Sequence, residues 1–171
     1  TPDRLQKEGL QWPCPNAEHP GTPILHTEKF ATPTGKGRLM PLKYRPSAEQ
    51  ADKQFPLILT TERSLFHYHT STMTRRVKGL EILQPEDFLE INPSDADNLG
   101  IANGEKVRVS SRRGEVMVKT KITTVSPVGV VSLTFHFGEC PTNVLTNPAL
   151  DPVAKIPETK VCAVRVDKIA S

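Results

Sequence analysis

Three short stretches between residues 60 and 76 carry side chains that can do chemistry: Thr60-Thr61-Glu62-Arg63, His67-Tyr68-His69-Thr70 and Met73-Thr74-Arg75-Arg76. Arginine presents a planar fork of donors that matches a phosphate, and threonine hydroxyls with backbone N–H groups complete such a shell. An apolar run, Leu57-Ile58-Leu59, leads directly into these residues. The donors therefore stand at the carboxyl end of a buried strand, where an anion could be held. Taken singly, each also suits a polar surface loop. His67 and His69, two apart, could ligate a metal, but Cys14, Cys140 and Cys162 lie far apart in sequence and supply no third ligand at useful spacing.

A second group follows another apolar run, Val130–Phe137. Here Phe135-His136-Phe137-Gly138 opens into Asn143-Val144-Leu145-Thr146-Asn147-Pro148. Asparagine offers both donor and acceptor, which suits a heterocyclic base. Against that, His136 is also what one face of an alternating strand would carry. Lys160, just ahead of the last apolar run, could meet a ring or a phosphate, or simply face water. Cys140 and His136 could pair as nucleophile and base, but nothing marks the thiol as activated, and a buried structural cysteine fits better. Gly35-Lys36-Gly37 lacks both the spacing of a phosphate-binding loop and the helix that must follow one.

The elements that must position these residues are mostly strands. Short apolar or alternating runs predict strands at 57–61, 88–91, 106–111, 115–122, 130–137 and 161–168. Arg112-Arg113-Gly114 marks a hairpin turn between the third and fourth. One compact helix is punctuated at both ends, with Asn92 as N-cap, Pro93 at its first position, Asp95 at the positive end of its dipole and Gly100 as its stop. Residues 47–54 read as a linker or short helix. No internal repeat is evident.

Of the 16 prolines, nine fall in residues 1–56, three in 57–139 and four in 140–157. Proline removes a backbone donor and restricts its predecessor, so the first zone should wrap over a surface. Trp12, Phe30, Leu39, Leu42 and Tyr44 would anchor it to the core or to a missing remainder. We divide the chain into an extended segment, 1–55, packed on a barrel domain, 56–171. With 22 Lys+Arg against 19 Asp+Glu the net charge is +3, too small and too scattered for a nucleic-acid face. Three scattered cysteines exclude a disulfide scaffold, and no apolar run approaches the roughly 20 residues that span a bilayer. Thr1 enters mid-pattern, as in a soluble fragment of a longer polypeptide.

The runs FPLILTTERSLFHYHTSTMTRR, FLEINPSDADNLGIANGEKVRVSSRRGEV, GVVSLTFHF and NVLTNPALDPVAKIPETKVCAVRV, in this order, resemble the C-terminal molybdopterin-dinucleotide-binding domain of the molybdenum/tungsten oxidoreductases. The formate dehydrogenase α subunits are the most similar branch, and LQKEGLQWPCP…HPGTPILHTEKF resembles the segment that precedes this domain in them. The resemblance implies a mainly β fold with short helices, a six-stranded double-psi β-barrel. It implies that the barrel closes over bis(molybdopterin guanine dinucleotide) jointly with domains outside this chain. By motif, Thr61, Arg63, His67 and His69 would line the pterin and diphosphate, Asn143 would contact a base or pterin, and Lys160 would lie near the pterin. His136 would join them at the same rim.

Parent enzymes of this kind carry an iron–sulfur Cys motif and a metal-ligating Cys or selenocysteine, and this sequence has neither. The chain is thus expected to bind part of a cofactor without performing the redox step, which belongs to molybdenum or tungsten and the pterins. Its expected partners are the remaining domains of the catalytic subunit and electron-transfer subunits, with no nucleic acid and no membrane insertion. The expected compartment is the cytoplasm, the periplasm being open. Two alternatives stand at this stage: a cofactor-free interaction or substrate-recognition module on the same barrel, and the same domain from a nitrate reductase.

Overall fold

The structure, a computed structural model, describes residues 2–7 and 9–169. They form two compact units, residues 1–44 and 45–171.

The first unit holds a short helix, α1 (Pro2–Lys7), and otherwise turns. Thr22 closes one of them, its N–H donating to the Gln11 carbonyl at 2.8 Å and its hydroxyl to the Pro13 carbonyl at 2.6 Å. Gly21 makes this possible: at φ +94° a Cβ there would lie 3.1 Å from the Gln11 backbone. Trp12, Leu39, Leu42 and Tyr44 are all exposed.

The second unit is a closed six-stranded barrel. Its strands are β1 (Leu57–Glu62), β2 (Phe88–Ile91), β3 (Lys106–Ser110), β4 (Glu115–Ile122), β5 (Val130–Thr134) and β6 (Cys162–Lys168), in the order β1-β5-β2-β4-β3-β6. Strict alternation puts Leu57, Leu59 and Thr61 of β1 inward, and Val116, Val118 and Thr120 of β4. Each buried Leu or Val contributes about 1.5–3 kcal/mol of transfer free energy. Closure leaves no unpaired strand edge.

The pairing has a hidden duplication. β1 lies parallel to β5, and β2 parallel to β4. β1 is antiparallel to β6, and β4 to β3. Exchanging the first three strands for the last three leaves this pattern unchanged. That pattern also sorts the connections. Residues 63–87 and 135–161 both emerge at the end of the barrel where β1 and β5 finish, together with the 111–114 turn. The shorter connections, 92–105 and 123–129, lie at the other end.

Two further helices sit in these connections, α2 (Lys78–Leu83) and α3 (Pro93–Leu99). α3 carries the punctuation read from sequence. The Asn92 side chain accepts from the Ser94 N–H at 3.0 Å and also donates to the Ser126 carbonyl at 2.7 Å, while Gly100 ends the helix at φ +64°. β5 stops at Thr134 rather than at 137. Thr134 pairs with Glu62, where β1 ends, and past it no neighbour on that side continues the ladder.

Residues 47–54 form no helix and belong with the barrel. Glu49 accepts from Arg112, from both terminal nitrogens of Arg113 and from the Ala163 N–H of β6 at 3.1 Å. Burial alone would raise its pKa, but the bonds from Arg113, Ala163 and Arg112 outweigh it and hold the carboxyl below its ordinary value. Asp52 turns the chain by accepting from the Gln54 and Phe55 N–H groups, each at 2.9 Å. Phe55 is then buried with the Arg112 guanidinium 4.8 Å from its ring centre. Glu49→Ala removes one acceptor from each of two guanidiniums, which keep Asp52 and the Leu145 carbonyl, and leaves one strand N–H without its carboxylate partner. Because the arginines are partly solvated, a loss of about 1–2 kcal/mol is expected, read as a lower urea midpoint at unchanged m-value. Glu49→Gln should lose less.

Candidate cofactor-binding rim

The seven residues singled out in sequence gather at one end of the barrel. Thr61 ends β1, and Arg63, His67 and His69 follow it. His136 and Asn143 follow β5, whose carboxyl end is level with that of β1. Lys160 precedes β6, and two bonds extend the β1–β6 ladder to it: the Thr61 hydroxyl donates to the Thr159 carbonyl at 3.1 Å, and Lys160 Nζ donates to the Thr61 carbonyl.

Burial splits the seven. Arg63, His69, Asn143 and Lys160 are exposed. Thr61, His67 and His136 are buried, and their polar atoms are engaged within the protein. His67 Nε2 faces the Gln84 carbonyl at 2.8 Å and must carry the proton, while Nδ1 accepts from the Thr74 hydroxyl at 3.1 Å. His136 Nε2 accepts from the Ser64 N–H at 2.8 Å, and Nδ1–H donates to the His69 carbonyl. Burial lowers the His136 pKa, and the nearby His67 and Arg63 charges add to the effect.

Phe135 joins two of the exposed donors, Arg63 and His69; the sequence placed it in the second candidate group beside His136 without giving it a role of its own. The Arg63 guanidinium lies 5.3 Å from its ring centre, and the His69 ring meets it edge-on at 5.7 Å. The same phenylalanine lines an open groove of about 790 Å³ together with Asn143, Thr70, Thr72 and Arg75. Arg75 is fixed there by Glu81 at 3.2 Å and Glu139 at 2.9 Å, over the ring of Phe137. The sequence shows Arg75 but not its partner, since Glu139 lies on a different connection. Arg63 itself lines a second groove of about 440 Å³, with Glu62, Asp87 and Glu90 set against Arg63 and Lys121. Burial, then repulsion from Glu90, raises the Glu62 carboxyl.

An exposed guanidinium, imidazole, carboxamide and ammonium, with threonine hydroxyls between them, fit an extended ligand that is anionic in one part and heterocyclic in another. They do not make a metal centre. Among the described residues no three His, Cys, Asp or Glu groups converge on a metal-sized site. Nor do the two barrel cysteines offer a nucleophile, since burial pushes Cys140 up to about 12 and Cys162 up to about 11.

Residues 57–163 match the family described as the molydopterin dinucleotide binding domain. The chain belongs to this family. It is 54% identical over 169 residues to the F420-dependent formate dehydrogenase 1 subunit alpha of Methanococcus maripaludis, covering 99% of this chain and 25% of that protein. It is 53% identical to the F420-dependent formate dehydrogenase subunit alpha of Methanocaldococcus jannaschii, with the same coverage. The periplasmic nitrate reductase of Desulfovibrio desulfuricans is more distant, at 36% identity over 98% of this chain and 24% of that protein. The chain thus spans about a quarter of the length of these relatives. Among solved structures, acetylene hydratase from Pelobacter acetylenicus shares the fold, with a TM-score of 0.61 at 19% identity over 68% of this chain and 19% of that one. The double-psi barrel of a molybdopterin-dinucleotide-binding domain is therefore the fold that carries this rim.

One group at the rim is held at a cost. Asp87 accepts from the Phe88 N–H at 3.0 Å, but its Oδ2 is buried without a hydrogen-bond partner. Burial raises its pKa to about 6, bonds from Thr134 and Phe88 offsetting part of the rise. The folded chain therefore binds a proton that the unfolded chain has already released, between its ordinary value of 3.8 and about 6, and stability falls as pH climbs through that window. Asp87→Asn keeps the acceptor for the Phe88 N–H and removes the charge. A gain of about 1–3 kcal/mol is expected at pH 8, shrinking toward pH 4, measured by thermal unfolding of both chains across that range.

Proposed function

We propose that this chain is the cofactor-closing domain of a formate dehydrogenase catalytic subunit, and that its rim holds molybdopterin guanine dinucleotide jointly with the rest of that subunit. The carrying observation is the convergence of Arg63, His69, Asn143 and Lys160, four exposed donors from the two long connections, at one end of the barrel. Identity of 53–54% to the F420-dependent formate dehydrogenase α subunits, against 36–38% to nitrate reductases, supports formate as the substrate and F420 as the electron acceptor of the whole enzyme.

In this reading Arg63 supplies a forked donor to the dinucleotide diphosphate, already oriented by its stack on Phe135. Lys160 adds charge from the β6 side. Asn143 reads a heterocycle edge, and His69 closes the rim beside Phe135. Thr61 and His67 act from beneath, fixing the backbone from which these donors project. When bound, the metal and its pterins supply the two-electron chemistry, and this domain contributes binding, orientation and exclusion of water.

Leu65, Tyr68, Met73 and Ile82, all exposed on the 63–87 connection, then face the remaining domains of the subunit, with electron-transfer subunits beyond them. Trp12, Leu39, Leu42 and Tyr44, all exposed, serve as anchors of the proline-rich segment on those domains. Three free cysteines suit a reducing cytoplasm, and no described helix is long and apolar enough to cross a membrane.

In the full-length catalytic subunit, Arg63→Ala removes charge-assisted bonds to the diphosphate, each about 1.5–3 kcal/mol. The expected protein is folded, depleted of guanine nucleotide and of molybdenum or tungsten, and correspondingly weak in formate oxidation. Full cofactor content in that variant, by elemental analysis and nucleotide release, would refute the assignment.

A further inference from the structure

Four bonds tie His136 to the 63–71 connection or to its own strand end. Its Nε2 accepts from the Ser64 N–H at 2.8 Å, at the start of that connection. Its Nδ1–H donates to the His69 carbonyl, near the end. Its own carbonyl accepts from the Ser71 hydroxyl at 2.6 Å, and its N–H points to the Thr134 hydroxyl at 3.4 Å. The segment it grips is strained. His69 at φ +50° and Ser71 at φ +58° both occupy the left-handed region without being glycine, a conformation that persists only where surrounding contacts over-determine it. Ser71 and His136 are each 1% exposed, so both gripping side chains are buried.

We propose that His136 is a positioning residue, a neutral clasp that closes the 63–71 connection into the shape from which Arg63 and His69 reach the cofactor. The proposal rests on the rim being the cofactor site, and it gives His136 a task other than contact with the cofactor. The clasp depends on one tautomer. A lone pair must face Ser64 and a proton must face His69, and a doubly protonated ring would set N–H against N–H. Glutamine can imitate this arrangement, having one acceptor and one donor, whereas methionine has neither.

The charged groups around the ring are Arg63, His67 and His69 of the clasped connection, each of which opposes protonation when charged, while the His69 carbonyl favours it. Asp87, ahead of β2, bonds to Thr134 at 3.4 Å and titrates near 6. Since the folded His136 pKa lies below 6.5, the clasp is complete above that pH and is lost as pH falls through the folded value. Asp87 titrates alike in wild type and in a glutamine variant, so the difference between the two isolates His136.

The test compares wild type, His136→Gln, His136→Met and Ser71→Ala in the full-length catalytic subunit. Hydrogen exchange of peptides covering 63–71 is read from pH 5 to 8, beside metal and guanine-nucleotide content. His136→Met should accelerate exchange in 63–71 at least tenfold with the strands unchanged, and should lower cofactor content. His136→Gln should retain both, and should lack the acid-induced loosening that wild type shows. Ser71→Ala should accelerate exchange about threefold, which keeps the proposal testable if the methionine variant does not fold. Unchanged exchange in Ser71→Ala and His136→Met overturns the clasp. So does a glutamine variant that loses cofactor while 63–71 stays protected, because the ring would then touch the cofactor itself. A loosened connection with full cofactor content would leave the clasp standing and refute the rim as the cofactor site.

Discussion

Parallel pairing is the constraint from which the rest of this structure follows. An antiparallel partner is reached by a two-residue turn, but a parallel one requires the chain to travel back along the barrel before pairing. β1 beside β5 and β2 beside β4 both demand this, and the demand is met with strands as well as with loops. The duplicated pairing pattern would allow equal connections at both ends. The chain instead enlarges the two at one end, 63–87 and 135–161, and keeps those at the other end short. A binding rim is what results: a rigid barrel below, and two long connections free to carry donors above it.

Long connections bring a cost, because their backbone must be held without a ladder. Specific polar contacts supply what the sheet does not. Asn147 anchors the second connection, donating to the Val161 carbonyl at 2.6 Å, and Arg113 from the hairpin turn donates to the Leu145 carbonyl at 2.8 Å. Gly114 lets these approach, since a Cβ there would stand 3.2 Å from the Val144 carbonyl. Glu49 draws in the irregular segment ahead of β1 by the same means. Where such satisfaction is incomplete, as at Asp87 Oδ2, the carboxyl responds by holding its proton to a higher pH.

The barrel was legible in the sequence because its strands are short alternating or continuously apolar runs and its one capped helix carries cap, proline and glycine in order. The rim was legible as a set of strand ends. What periodicity could not show was the division of labour among the seven residues there. His67 and His69 differ by two positions and share a residue type, yet one is sealed between Thr74 and Gln84 and the other lies open beside Phe135. That difference is made by partners from elsewhere in the chain and by a left-handed turn at His69, neither of which leaves a local pattern. The membership of residues 45–55 in the barrel was hidden for the same reason, since Glu49 finds its arginines across sixty residues of sequence. The pairing duplication left no sequence repeat because only backbone direction, not side-chain identity, is common to the two halves.

The two barrel cysteines give this domain an unplanned handle. A thiol with a pKa of about 12 is ionised at neutral pH in roughly one molecule in 10⁵, and only the thiolate attacks an alkylating reagent. Cys140 and Cys162 are buried as well, so reagent reaches neither while the barrel is closed. Cys14, in the other compact unit and only partly buried, is left as the natural attachment point for a fluorophore or spin label. Labelling there reports on the proline-rich segment in otherwise unmodified protein, and the appearance of a second labelled thiol is a clock for the opening of the barrel.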